Sequence, residues 1–187
     1  MSLNLVVAVS ADWGIGRDNG LLFRIPADLA RFRELTLGGT VIMGRGTFKS
    51  LPGQRPLPGR RNIVLSRQPG LAIPGADVAG SKEEALAAIA AGGPVFVIGG
   101  ESVYRLFLDD CARAYVTKVD ASAPADRFFP DLDREEGWRR AGQSGEFTEN
   151  GLSYSYVEYE NPRAMKMKAM GTKPAAAPPY CASGSPR

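Results

Sequence analysis

At 187 residues, 44% of them hydrophobic, the chain is long enough for one well-packed domain, and no apolar run approaches the ~20 residues a membrane span needs. Its two cysteines, Cys111 and Cys181, lie far apart in dissimilar contexts, which excludes a disulfide framework or a zinc pattern and points to a reducing cytoplasm; the absence of histidine excludes Ser-His-Asp triads and HExxH metal sites. The formal net charge of +3 is unevenly spread: Arg163, Lys166, Lys168, Lys173 and Arg187 stand in a terminal segment without acids, so the body is slightly acidic and gives no reason to expect nucleic acid or membrane as a partner.

The opening MSLNLVVAVS has no basic segment before its apolar run, so Leu3 to Val9 reads as a buried first strand and not as a secretory signal. Residues 10–24 form a glycine-rich connection (Gly14, Gly16, Gly20), long enough to be functional or mobile. Ile25 to Leu37 reads as a helix. Pro26 suits its first turn, Leu29, Phe32 and Leu35 recur on one face, and Gly38-Gly39 end it. Asp28 shares that face, so its carboxylate is expected to point inward and to need a cation or a proton-bearing partner. The plainer alternative is an acid that only offsets the positive end of the helix dipole.

Thr40 to Met43 and Asn62 to Leu65 read as strands, with a helical turn after Gly44-Arg45-Gly46-Thr47 and a Pro- and Gly-rich crossing between them. A brief strand near Asp77 to Ala79 precedes Ser81-Lys82-Glu83-Glu84, the capping-box start of a helix expected to reach about Ala91. Val95 to Ile98 is a buried strand, Gly99-Gly100 leads into a helix from about Ser102 to Leu108, and Ala114 to Val119 is a further strand. Ala121 to Glu136 is acidic and irregular. Trp138 to Ala141 and Leu152 to Glu160 close the chain as an antiparallel pair. This alternation predicts an α/β fold: a mostly parallel central sheet flanked by helices on both faces, with antiparallel edge strands at the C-terminal end. One domain is expected over residues 1–161, and residues 162–187 read as a low-complexity, basic, disordered tail.

In an open parallel sheet, ligands bind beyond the carboxyl ends of the strands. The 14–20 loop, Gly44-Arg45-Gly46-Thr47, Ser66-Arg67 and Gly99-Gly100 all fall there. Glycines at strand-to-helix turns let backbone N–H groups approach phosphate, and Arg45 and Arg67 offer planar forks suited to it. Together they describe a pocket for a phosphorylated dinucleotide, although GxGxxG and Walker A motifs are absent.

The segments GIGRDNGLLFRIPADLARFRELT, VIMGRGTFKSL, RPLPGRRNIVLSR, VFVIGGESVY, YVTKVD and FFPD, in that order, make the sequence resemble bacterial dihydrofolate reductases over about Leu3 to Glu160. The resemblance implies an enzyme that moves a hydride from NADPH to C6 of 7,8-dihydrofolate, with a proton going to N5, in tetrahydrofolate biosynthesis and one-carbon metabolism. It also implies a cytoplasmic antifolate target, taken here to be a monomer. It assigns Asp28, supported by Thr117, to the pterin's 2-amino group and N3. Val6, Phe32, Leu57 and Ile98 become apolar walls. Arg60 takes the glutamate carboxylate of folate, with Arg55 near the same end. For NADPH it implies Gly46, Thr47, Gly99, Gly100, Glu101, Ser102 and Val103 at the pyrophosphate and nicotinamide. Arg45, Ser66 and Arg67 fall at the 2′-phosphate and Ala8, Ile15 and Gly16 at the nicotinamide, with Gly20 and Tyr104 completing the set. A cis Gly99-Gly100 peptide is implied as well.

The chain departs from the family pattern at Leu21-Leu22-Phe23, where Leu-Pro-Trp is common, and at Gly46, where a larger residue is common. With no histidine, proton delivery falls to water or the substrate itself. Two other readings remain open at this point. One is a same-fold pyrimidine reductase of flavin synthesis, against which the acid of IPADL and the arginine of RPLPGR speak. The other is a non-catalytic NADPH- or nucleic-acid-binding module.

Overall fold

The first strand, β1 (Leu3–Val9), is buried on both faces, as its continuous apolar run requires. The computed structural model describes residues 2–89 and 92–165. Beyond β1 the elements are β2 (Gly14–Arg17), β3 (Gly20–Leu21), α1 (Pro26–Thr36), β4 (Thr40–Gly44), α2 (Arg45–Ser50), β5 (Arg61–Leu65), β6 (Asp77–Ala79) and α3 (Lys82–Ala87). They continue with β7 (Val95–Gly99), α4 (Glu101–Phe107), β8 (Cys111–Val119), β9 (Arg127–Phe128), β10 (Arg139–Glu149) and β11 (Leu152–Glu160).

The main sheet runs in the order β10-β11-β8-β1-β7-β4-β5-β6. Pairings from β8 through β6 are parallel, whereas β11 joins β8 and β10 joins β11 antiparallel. Alternation along each strand feeds two faces. Leu5, Val7, Ile42, Ile63 and Val97 pack on one side with Ala85 of α3 and Phe107 of α4. Val41, Met43 and Val64 pack on the other with Phe48 of α2. Helices on both faces and antiparallel strands at the late edge are the architecture expected from the sequence.

Several elements differ from expectation. The 10–24 connection holds a hairpin: Asp18 (φ 50°) and Asn19 (φ 62°) turn β2 into β3, both in the left-handed region that such two-residue turns need. β2 also pairs with β9, inside the stretch expected to be irregular. β8 starts at Cys111 and not Ala114. β10 runs to Glu149, well beyond Ala141; nearly all of it is exposed and it shifts register twice, so it carries no apolar period to be read. Ser81 caps α3 by accepting from Glu84 N–H, but the Glu84 carboxylate takes the N–H of Gly80, not of Ser81. α3 itself is assigned only to Ala87, and residues 90–91, near its expected end, lie outside the described residues.

The expected tail boundary also moves. Residues 162–165 form a helical turn whose Arg163 and Ala164 N–H groups donate to Asn161 Oδ1, and Ala164 is buried. The remainder of the expected tail, 166–187, lies outside the described residues. Among the described residues, no helix is long and apolar enough to cross a membrane.

Candidate functional site

The carboxyl ends of β1, β4, β5, β6 and β7 open into one cleft of about 1540 Å³, closed on one side by α1 and by the β2–β3 hairpin. Val6 and Ala8 of β1 lie at its floor, and Ile98 of β7 joins them. Ile15, Gly16 and Gly20 line it from the hairpin. A shallower depression of about 480 Å³ adjoins it, sharing Ser66, Arg67, Gln68 and Gly80.

At one end stands Asp28. Leu29 and Phe32 of the apolar face of α1 line this cleft, so the inward direction expected of Asp28 is toward the cleft interior. Thr36 is the only fully buried residue of the helix, and Leu29 is 38% exposed. Asp28 is part-buried in the cleft wall, and the Thr117 hydroxyl of β8 donates to its Oδ1 at 2.5 Å. This is the proton-bearing partner the sequence called for. Burial raises the Asp28 carboxyl above its ordinary value, while the Thr117 hydrogen bond and the nearby charge of Arg31 pull it back in part. The Arg31 guanidinium lies 4.1 Å from the Tyr156 ring centroid.

Phe32, Leu57 and Arg60 continue the wall. Arg60 donates to Thr36 Oγ1 (3.1 Å) and to the Pro58 carbonyl (3.0 Å), so the guanidinium is anchored from both sides. Burial, reinforced by Arg33, lowers its pKa, the mark of a cation short of a counter-ion. Arg55, which follows the short 3-10 turn of Pro52–Gln54, does not line the cleft, although Pro52 and Leu57 on either side of it do.

At the other end, Arg45, Gly46 and Thr47 of α2, Ser66 and Arg67 after β5, and Gly99, Gly100, Glu101, Ser102, Val103 and Tyr104 around the start of α4 all line the cleft. The Gly99-Gly100 peptide is cis. A Cβ on Gly99 would meet Thr47 Oγ1 at 3.3 Å, with a backbone φ of +123° that disfavours any side chain, so this wall is open backbone by necessity. Glu101 turns its carboxylate out of the cradle, to Phe128 N–H (3.1 Å) and Arg105 (3.2 Å). The buried Tyr104 hydroxyl donates to the Val6 carbonyl at 2.8 Å, joining α4 to β1 beneath the cleft, and burial raises its pKa.

Sequence reasoning missed some of the lining. Gln68 accepts a hydrogen bond from Arg45 and so joins the two basic turns. Gly80 and Ser81 stand at the carboxyl end of β6. The rule that found Gly44 and Gly99 would have found them too, since they also form a strand-to-helix turn. Ser50 and Leu51 carry no comparable signal.

A dihydrofolate reductase family model matches residues 2–161. This chain is a member of the dihydrofolate reductase family. The dihydrofolate reductase of Mycobacterium tuberculosis is 45% identical over 163 residues, covering 84% of this chain and 96% of that one. That of Neisseria gonorrhoeae is 38% identical, covering 85% and 98%. A solved dihydrofolate reductase from Enterococcus faecalis, complexed with NADP(H) and RAB-propyl, superposes with a TM-score of 0.77 at 29% identity, covering 85% of this chain and 95% of that one.

Proposed function

We propose that this member of the dihydrofolate reductase family reduces 7,8-dihydrofolate to 5,6,7,8-tetrahydrofolate with NADPH. The single observation that carries the reading is Asp28: one part-buried carboxylate, held by Thr117, in the wall of a cleft whose far end is basic and glycine-lined. Bound NADPH supplies the hydride that goes to C6 of the substrate. The donor set fits such a group, since Arg45, Ser66 and Arg67 offer two guanidinium forks and a hydroxyl at one corner, where a phosphate would be held. Gly99 and Gly100 leave room for a close backbone approach.

Asp28 accepts the paired donors of the pterin and, as the anion, favours a proton on the ring, since an opposite charge stabilises the cation. Val6, Phe32, Leu57 and Ile98 give the ring and benzoyl group apolar contact. Arg60 pairs with the glutamate carboxylate, and its anchoring to Thr36 and Pro58 keeps it in one orientation. The β2–β3 hairpin, with Ile15 and Gly16 on the cleft, excludes water from the reacting atoms. The exclusion is of bulk solvent: a single water admitted to the cleft then delivers the proton to N5. We further propose a cytoplasmic, monomeric enzyme with one catalytic domain and a dispensable C-terminal extension. The test is an isotope assay: with NADPH deuterated at the transferred position, the product carries deuterium at C6. A product without deuterium, or no loss of reduced-nicotinamide absorbance, overturns the reading.

A further inference from the structure

Helix α1 begins without a cap of its own. Ile25 at the cap position offers no side-chain acceptor, and Pro26 has no N–H, so the first free donor of the helix is Ala27 N–H. That donor is taken by Glu149 Oε2 at 3.0 Å, from a residue 122 positions away in the chain. Glu149 is the last residue of β10. It lies opposite Leu152 at the end of the β10–β11 hairpin, where Asn150 (φ 52°) and Gly151 (φ 75°) make the turn. β11 in turn pairs with β8, setting Tyr156 opposite Thr117. One antiparallel ladder therefore grips α1 at two consecutive residues: Thr117 holds the Asp28 side chain, and Glu149 holds the backbone N–H just before it.

We propose that Glu149 is a positioning residue for Asp28, fixing the start of α1 against the β8–β11–β10 ladder so that the carboxylate keeps its aim into the cleft. The inference rests on the reading of Asp28 as the pterin-binding acid. A carboxylate at a helix start is favourable in itself, and a charge-assisted bond to a backbone N–H is short and directional. Without Glu149 the ladder still meets α1 through Thr117, through the Arg31–Tyr156 contact and through Ile25 packed with Val119 and Tyr154, but nothing from it then holds the backbone of the first turn by a hydrogen bond.

The test compares Glu149→Ala, Glu149→Gln and, as a hairpin control, Thr148→Ala, in the full-length protein. Wild-type turnover of dihydrofolate with NADPH is measured first, and its absence refutes the reading of the site and not the role of Glu149. Given that turnover, Glu149→Ala lowers kcat/KM for dihydrofolate about tenfold, within the range a small misplacement of a reacting group produces, and leaves KM for NADPH unchanged. Glu149→Gln keeps an acceptor oxygen and restores most of the loss, while Thr148→Ala behaves as wild type. Unchanged dihydrofolate kinetics in Glu149→Ala, a parallel loss toward NADPH, or failure of glutamine to rescue would overturn the proposal.

Discussion

A carboxylate set into a half-buried wall is harder to ionise than one in water, and Asp28 shows the consequence at the scale of one residue. Its folded-state pKa lies above the ordinary carboxylate value. The folded chain therefore holds a proton that the unfolded chain has released, so the stability this group contributes is present in acid and lost as pH rises through that window. Asp28→Asn should melt higher than the parent at pH 7, with the difference vanishing in acid; a thermal melt at both pH values checks this. Thr117 is the largest influence holding the acid down. Thr117→Val should push the carboxyl higher still and cut kcat/KM for dihydrofolate about 10- to 100-fold, as expected for a hydrogen bond to a charged group worth ~1.5–3 kcal/mol. The pH below which dihydrofolate binding weakens should move upward in that variant, and a profile that stays put would contradict the pairing.

At the scale of elements, the loop after β9 is tied down by charge. Asp133 accepts from Lys118 of β8 (2.7 Å), Arg140 of β10 (2.8 Å) and Tyr159 of β11 (2.8 Å). Burial alone would raise its carboxyl, but these three bonds and the Lys118 charge together hold it down at about 2. The stability it contributes is therefore fully present above its unfolded value and lost as pH falls toward about 2. Lys118 also lies 4.4 Å from the Trp13 ring centroid, and Trp13 stacks on Phe129, so the same cluster steadies the start of the cleft-covering hairpin. Asp133→Asn should lower Tm at pH 7 by about 2–4 °C, the shift that ~1 kcal/mol makes in a chain of this size, and by much less only as the pH falls to about 2. Differential scanning at the two pH values checks it.

These elements also mark where the sequence could be read. Strands β1, β4, β5 and β7 were legible because a strand buried on both faces is a nearly continuous apolar run, which in β4 and β7 also ends in glycine. The β2–β3 hairpin was not, because Asp18-Asn19 turns without glycine and both strands are short. The length of β10 was not, because an exposed edge strand has no face to make apolar. Much of the two ends of the cleft followed from the carboxyl-end rule together with the family resemblance, while Gln68, Ser50 and Leu51 did not. The exceptions depended on tertiary contact: Arg55 falls outside, and the Glu149–Ala27 bond joins residues no local pattern connects.

For the whole molecule, the boundary of the folded unit decides what can be removed. Ala164 is buried and Arg163 pairs with Glu136, so the domain includes the turn at 162–165. A chain ending at Met165 should keep the turnover and melting temperature of the parent. A chain ending at Asn161 should melt lower by about 2–4 °C, from ~1 kcal/mol of lost packing and capping. Melting and steady-state assays of the two truncations separate these outcomes, and a large activity loss in the longer one would make the basic extension part of the catalytic unit.

The account turns on the proposal that Asp28 is the ionisable group that addresses the pterin, in a chain without histidine. The most direct measurement is the pH profile of dihydrofolate turnover with NADPH for the parent and for Asp28→Asn. The account predicts a loss of at least about 100-fold at pH 7, the low end for a positioned acid-base group, with partial recovery in acid, where the substrate arrives already protonated. Undiminished turnover at pH 7, or a loss that stays flat as the pH falls, would contradict it.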